Sequence, residues 1–231
     1  MRILVTLTLV AVAIVLLLSA GTLLASVPLQ IHANGGINAM IKYQAFALLV
    51  GLGTMASISF LYPDSKELLT VGRLKSIAIR ERWLGINGKS SWRTNGLQLL
   101  LFISLATGIF MALGVWSTDN IQNFQGHFIP YIILFAFTNA LSEELIFRFG
   151  LLGGLHDRVP KRTLLLISAV VFGLPHFYGN PGGFIGVLMS AFLGYILSKA
   201  TLETKGLGIA MVIHFVQDVI IFTAVLMMTV S

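Results

Sequence analysis

Six side chains in this sequence stand where an apolar chain would avoid them: Glu143, Glu144, Arg148, His176, His214 and Asp218. Carboxylates and imidazoles together can move protons, bind a metal or polarise a carbonyl, so the group is a candidate for acid–base or hydrolytic chemistry. Glu144 and Arg148 are four residues apart in "NALSEELIFRFG" and face one side of a helix. The plain reading of that pair is a buried ion pair that orders its segment. Glu143 points about 100° away, on the face of Asn139 and Phe147, and has no cation at helical spacing. That leaves it free to act as a general base.

His176 lies in "FGLPHFYGNPGG", where Pro175 disturbs a helix and the following glycines end it. Taken alone it reads more readily as a satisfied interfacial histidine than as a ligand. His214 and Asp218, in "IHFVQD", are again four apart, and a simple His–Asp hydrogen bond accounts for them locally.

The elements that must position these groups are membrane spans. Hydrophobic residues make up 56% of the 231 residues and charged ones 10%, against about 25% charged in a soluble domain. Seven apolar runs approach the roughly 20 residues that a bilayer crossing needs: Ile3–Ser26, Gln44–Tyr62, Leu97–Trp116, His127–Leu155, Leu164–Tyr178, Phe184–Ala200 and Gly206–Val230. Arg2 and "LLASV" would suit a signal peptide, but the first run exceeds the usual 7–15 apolar residues, so it reads as a retained anchor. All of the 15 basic residues except Lys42 and Arg148 fall on one side if the N-terminus is inside and the C-terminus outside. Tyr43, Trp116, Tyr131 and Tyr178 then fall at outer ends, where amphipathic rings prefer to sit.

The expected architecture is therefore an all-α, polytopic transmembrane helix bundle of about seven spans with its N-terminus inside. Two spans (1–62) precede a basic cytoplasmic or interfacial segment (63–96), and a five-span bundle (97–231) carries the candidate core (128–230). The stretch "VGRLKSIAIRERWLGI" reads either as an interfacial helix or as an ordinary positive-inside loop. Gly186, Ser190, Gly194 and Ser198 form a small-residue face suited to close helix packing. The formal charge of +6 is explained by orientation and calls for no nucleic acid, and with no cysteine thiolate chemistry is excluded.

An Asp, Arg or Lys at the bilayer centre costs about 2.5–3.5 kcal/mol on insertion scales, so this set costs on the order of 10 kcal/mol. A domain's whole stability is about that size, which makes pairing or a wet functional site the default explanation. A proton-coupled transporter would use such residues too, but the inverted repeat or broken-helix pairs that support transport are absent. A non-catalytic immunity or regulatory partner is the other alternative.

In this order, "EELIFR", "FGLPH" and "HFVQD" resemble the E-E-x-x-x-R, F-x-x-x-H and H-x-x-x-Asn/Asp motifs of the CPBP family, the CAAX proteases and bacteriocin-processing enzymes, also called Abi intramembrane metalloproteases. The resemblance spans about residues 128–230. It implies an intramembrane endopeptidase in which Glu143 activates water, supported by Glu144 and Arg148. His176 sits beside that water, with Phe172 and Asn139 in support, and His214 and Asp218 stabilise the oxyanion. Glu143, His176, His214 and Asp218 also make an oxygen and nitrogen ligand set for zinc, and the same four serve a metal-free mechanism, so zinc or no cofactor both stay open. The partners implied are membrane lipid and a membrane-associated protein or peptide substrate. The location implied is multi-pass in a membrane, with the compact length suiting a bacterial plasma membrane.

Overall fold

The computed structural model describes residues 1–117 and 124–229, so Val230 of the seventh run lies outside the described residues. It is all-helical, with no strand among them. The helices are α1 (Arg2–Leu18), α2 (Ala20–Ala25), α3 (Gly35–Leu61), α4 (Trp92–Ser117), α5 (Ile129–Glu143), α6 (Leu151–Leu155), α7 (Lys161–Gly173), α8 (Gly183–Thr204) and α9 (Gly208–Thr229). Five stretches are long and apolar enough to cross a membrane: α3, α4, Gly126–Leu155, α8 and α9. The first and fifth predicted runs are shorter as helices. The first breaks at Ser19 after the 17 residues of α1, and α7 has 13 residues before Pro175 forces a tighter 3₁₀ turn over Leu174–Tyr178.

Membrane character shows on both faces of α4. Leu99, Ile103, Met111 and Val115 are buried, while Leu97, Leu101, Leu105, Ile109 and Leu113 are exposed on the other side. A helix that is apolar all round has no water-facing side, and its outer stripe suits acyl chains.

The α5–α6 helix lies at the centre, packed by α3 and α9, and α9 is flanked in turn by α4 and α8. Polar contacts between spans fix the registers. Thr138 Oγ1 on α5 donates to Gln44 Oε1 on α3 at 3.0 Å, and Gln217 Nε2 on α9 donates to Ser104 Oγ on α4 at 2.9 Å. The small-residue face of α8 does pack closely. Ser198 shares a 2.6 Å hydrogen bond with Ser168 on α7, and a Cβ on Gly194 would meet Phe172 at 3.0 Å. Conversely, a Cβ on Gly173 of α7 would lie 2.8 Å from both Ala191 Cβ and the Val187 carbonyl oxygen of α8.

Gly173→Ala is therefore expected to overpack the α7–α8 contact and destabilise by about 1–3 kcal/mol. Gly108→Ala on α4, with nothing within 4 Å, gains helix propensity instead, about 0.5–1 kcal/mol. Thermal unfolding of the two variants in detergent should move in opposite directions.

The interfacial-helix reading of residues 71–86 is not what forms. The segment is irregular, extended around Ile77–Arg80 with a single 3₁₀ turn at Arg82–Leu84, and carries isolated bridges between Ile77 and Ser91 and between Glu81 and Ile86. Its apolar residues alternate: Ala78 is buried between exposed Ile77 and Ile79, which is strand-like spacing. Glu203 of α8 anchors the segment. Its Oε2 accepts from the Ile79 backbone N–H (2.8 Å) and Trp92 Nε1 (2.9 Å), and its Oε1 accepts from Lys199 Nζ (2.6 Å) and Lys161 Nζ (2.7 Å). Lys199, near the end of the sixth apolar run, is thus a buried, paired residue of α8. At the other end of the chain, Arg2 donates to Asp64 Oδ2 at 2.8 Å and to the Gly153 and Gly154 carbonyls, tying α1 to α6. That hydrogen bond holds the Asp64 carboxyl below its usual range.

Candidate active site

The central helix does not pass through the motif as regular α-helix. Glu144–Gly150 forms a π-helical stretch between α5 and α6, every residue of it buried. Widened turns of this kind are frequent at functional sites, where they re-aim side chains that a 3.6-residue repeat would place elsewhere.

From the last turn of α5, Glu143 reaches toward two histidines on other helices. Its Oε2 lies 3.9 Å from His176 Nε2 and 3.5 Å from His214 Nε2, and its Oε1 accepts a 3.2 Å hydrogen bond from Asn139 Nδ2 one turn back. The Asn139 amide also donates to Asp218 Oδ2 at 3.1 Å, so it bridges the two carboxylates. Two like charges close together repel, and the shared N–H donor offsets part of that. All six polar residues singled out above therefore meet at one place, with Asn139 and Phe172 among them.

The pairing differs from the helical spacing in one respect. His214 does not hydrogen-bond Asp218, which is 3.7 Å away. Its Nδ1 instead donates to Glu144 Oε1 at 2.7 Å, across the α5–α9 contact. A carboxylate only accepts, so the proton is on Nδ1 and the Nε2 edge is turned to Glu143 and Asp218. Glu144 and Arg148 do form an ion pair, at 3.4 Å, with both side chains completely buried. Arg148 also stacks over Phe172, its Cζ 4.1 Å from the ring centroid.

Phe172 is the wedge of the site. Its ring lies 4.7 Å from that of His176 and meets His214 edge-on at 5.7 Å. The Phe172 carbonyl accepts from His176 Nδ1 at 2.7 Å, which the 3₁₀ turn after Pro175 makes possible. A carbonyl also only accepts, so His176 likewise presents Nε2 to Glu143.

The group opens onto a cavity of about 340 Å³ lined mainly by α4, α8 and α9, with Phe102, Thr107, Met189, Ser190 and Ile221 in its walls. Two residues of this site were not singled out as chemical from sequence. Gln217 lines the cavity one residue before Asp218, and Tyr43 of α3 lines it beside Glu143. Tyr43 was expected in an outer aromatic belt. The tight α3–α5 crossing, where a Cβ on Gly51 would meet the Ser142 carbonyl oxygen at 3.0 Å, brings it to the site instead.

A zinc ion with ligands at about 2.0–2.2 Å needs all its donors mutually about 3.3–3.6 Å apart around one point. Glu143 stands 3.9 Å from His176 and 3.5 Å from His214, and His214 stands 3.7 Å from Asp218, but no three of the four have ligand atoms all within 4.8 Å of one another. The trio whose ligand atoms all lie within 4.8 Å of one another, among the described residues, is Asp64, His156 and Asp157, where Arg2 already occupies Asp64. As arranged, the four do not close into a zinc tetrahedron, and the Asn139 N–H group turned toward both carboxylates suits anions better than a cation.

No curated protein and no solved structure matches the chain. Residues 125–220, which hold every one of these motif residues and exclude Tyr43, match the family model described as Rce1-like, type II CAAX prenyl endopeptidase, in agreement with the CPBP resemblance carried by the three motifs.

Proposed function

We propose that this integral membrane protein is an intramembrane endopeptidase that hydrolyses a peptide bond near the C-terminus of, or within, a membrane-associated protein or peptide. The observation that carries the reading is the convergence of Glu143 with His176 and His214, from three different helices, at 3.5–3.9 Å over a cavity. Those separations are too long for direct hydrogen bonds, so the Glu143 oxygen and the two Nε2 edges are left to act on a common group at the cavity.

In the reaction, a water held between Glu143 Oε2 and His176 Nε2 gives its proton to Glu143 as its oxygen attacks the scissile carbonyl carbon. The carbonyl oxygen becomes an oxyanion. His214, doubly protonated and held by Glu144 at Nδ1, donates from Nε2 to that oxyanion. Asp218, fixed by Asn139, orients the Nε2 edge. Glu143 then returns its proton to the leaving nitrogen and the C–N bond breaks, giving a carboxylic acid and an amine; the acid passes its remaining proton through Glu143 to the amine, and the two products separate as carboxylate and ammonium. Arg148 and Phe172 hold Glu144 and the two imidazoles in place. No step runs through a metal.

Purified protein in liposomes, given membrane-protein substrates in heavy-oxygen water, should place the heavy atom in each new C-terminal carboxylate. Cleavage without that incorporation would mean that the acyl group passes to an acceptor other than water, and no cleavage of any membrane protein tested would count against the peptidase reading.

A further inference from the structure

Glu143 and His176 are walls of two cavities. Besides the one described above, a second space of about 340 Å³ lies on their other side, between α1, α3 and the 3₁₀ turn that carries His176. Tyr43, Glu143, His176 and Gly179 line both. The outer wall of the second is the C-terminal half of α1, through Ile14, Leu17 and Leu18, with Gly21 just beyond the break at Ser19. This wall is outside the segment that matches the family model.

The two spaces differ in what they can take. The first is large-walled and mainly apolar, running along three spans, and suits the substrate segment. Once a peptide fills it, water no longer reaches Glu143 from that side. Yet each turnover consumes one water at the Glu143 carboxylate. Oε2 of that carboxylate is buried and accepts no hydrogen bond among the described residues, a state that a buried acceptor rarely keeps without water. The second cavity ends on Glu143, with the Tyr43 phenol and the His176 ring beside it. At about 30 Å³ per water it has room for a short hydrogen-bonded file.

We propose that the second cavity is the water route to Glu143, separate from the substrate cavity, with α1 as its outer wall and Tyr43 as the partition between the two. Its purpose rests on the peptidase reading; its existence as a wet channel does not.

The chain has no cysteine, so single cysteines report access directly. Ile14→Cys and Leu17→Cys, on the cavity wall, are compared with Val15→Cys, which is 61% exposed on the outside of α1 and within one residue's rise of Ile14 in depth. In membranes treated with a charged, membrane-impermeant thiol reagent, the two cavity positions should label and Val15→Cys should not. Lack of labelling at both cavity positions, or equal labelling at all three, would overturn the route.

Leu17→Trp, which fills the cavity, should lower kcat severalfold and leave KM unchanged, because substrate binds on the other side. A KM effect with unchanged kcat would instead make this space part of the substrate site and contradict the proposal. Labelling at Ile14 and Leu17 without any detectable proteolysis would keep the channel and remove the peptidase reading.

Discussion

Glu143→Gln is expected to lower peptide cleavage by about 10²–10⁴-fold, the usual contribution of a positioned general base, with the fold intact. The substitution keeps the shape of the side chain and its acceptor oxygen toward Asn139 Nδ2, 3.2 Å away in the native protein. It removes the capacity to take a proton from water. Among the described residues the one hydrogen bond to the Glu143 side chain comes from Asn139, and His214 keeps Glu144 and Asp218 as carboxylate neighbours when the Glu143 charge is removed. Thermal unfolding should therefore move little while turnover collapses. Asn139→Ala gives a useful contrast. It removes the N–H groups shared by Glu143 and Asp218 and should lower activity less than loss of the base itself. Equal activity of wild type and Glu143→Gln against the same substrate would remove Glu143 from the chemistry.

Arg148→Met should have the opposite signature, with stability lost first. The Arg148 and Glu144 side chains are completely buried, and their ion pair is the one formal neutralisation of charge within the π-helical stretch. Removing one partner of a buried pair leaves the other charge uncompensated, which costs about 3–5 kcal/mol. Glu144 keeps its 2.7 Å bond from His214, so the loss should fall toward the lower end. Methionine retains most of the packing against Phe172. Glu144→Gln with Arg148→Met should then be less destabilised than the two single effects added, with a coupling of about 0.5–3 kcal/mol. Unfolding in mixed micelles measures all three. A fully stable Arg148→Met would mean that the pair does not hold the helix.

Much of the site was legible because polarity in an apolar run is conspicuous. Glu143, His176, His214 and Asp218 stand out by type alone, and Asn139, read as sharing a helix face with Glu143, donates to its carboxylate at 3.2 Å. What helical spacing could not supply was pairing across helices. His214 was matched to Asp218 because they are neighbours on one helix, whereas its 2.7 Å partner, Glu144, is 70 residues away. The π-helical stretch is invisible to a 3.6-residue repeat, and "ELIFRFG" carries no glycine or proline before its last residue to mark it.

The apolar runs were legible, but their lengths as helices were not. Ser19 and Pro175 shorten two of them into pieces that hydropathy alone joins together. Tyr43 and Glu203 were missed for a shared reason. Each is an ordinary residue for its place in the sequence, a tyrosine near a span end and a glutamate in a polar connection. Only tertiary packing shows the first lining Glu143 and the second gathering Ile79, Trp92, Lys161 and Lys199.

The central claim is that Glu143 hydrolyses peptide bonds of membrane-associated proteins, and the most direct test compares protein termini in membranes of cells carrying wild type or Glu143→Gln at matched abundance. New C- and N-terminal pairs present only with wild type are the predicted result, and they would name the substrate. Identical termini in the two, with both proteins folded and membrane proteins well sampled, would contradict the account and favour a membrane partner without peptidase activity.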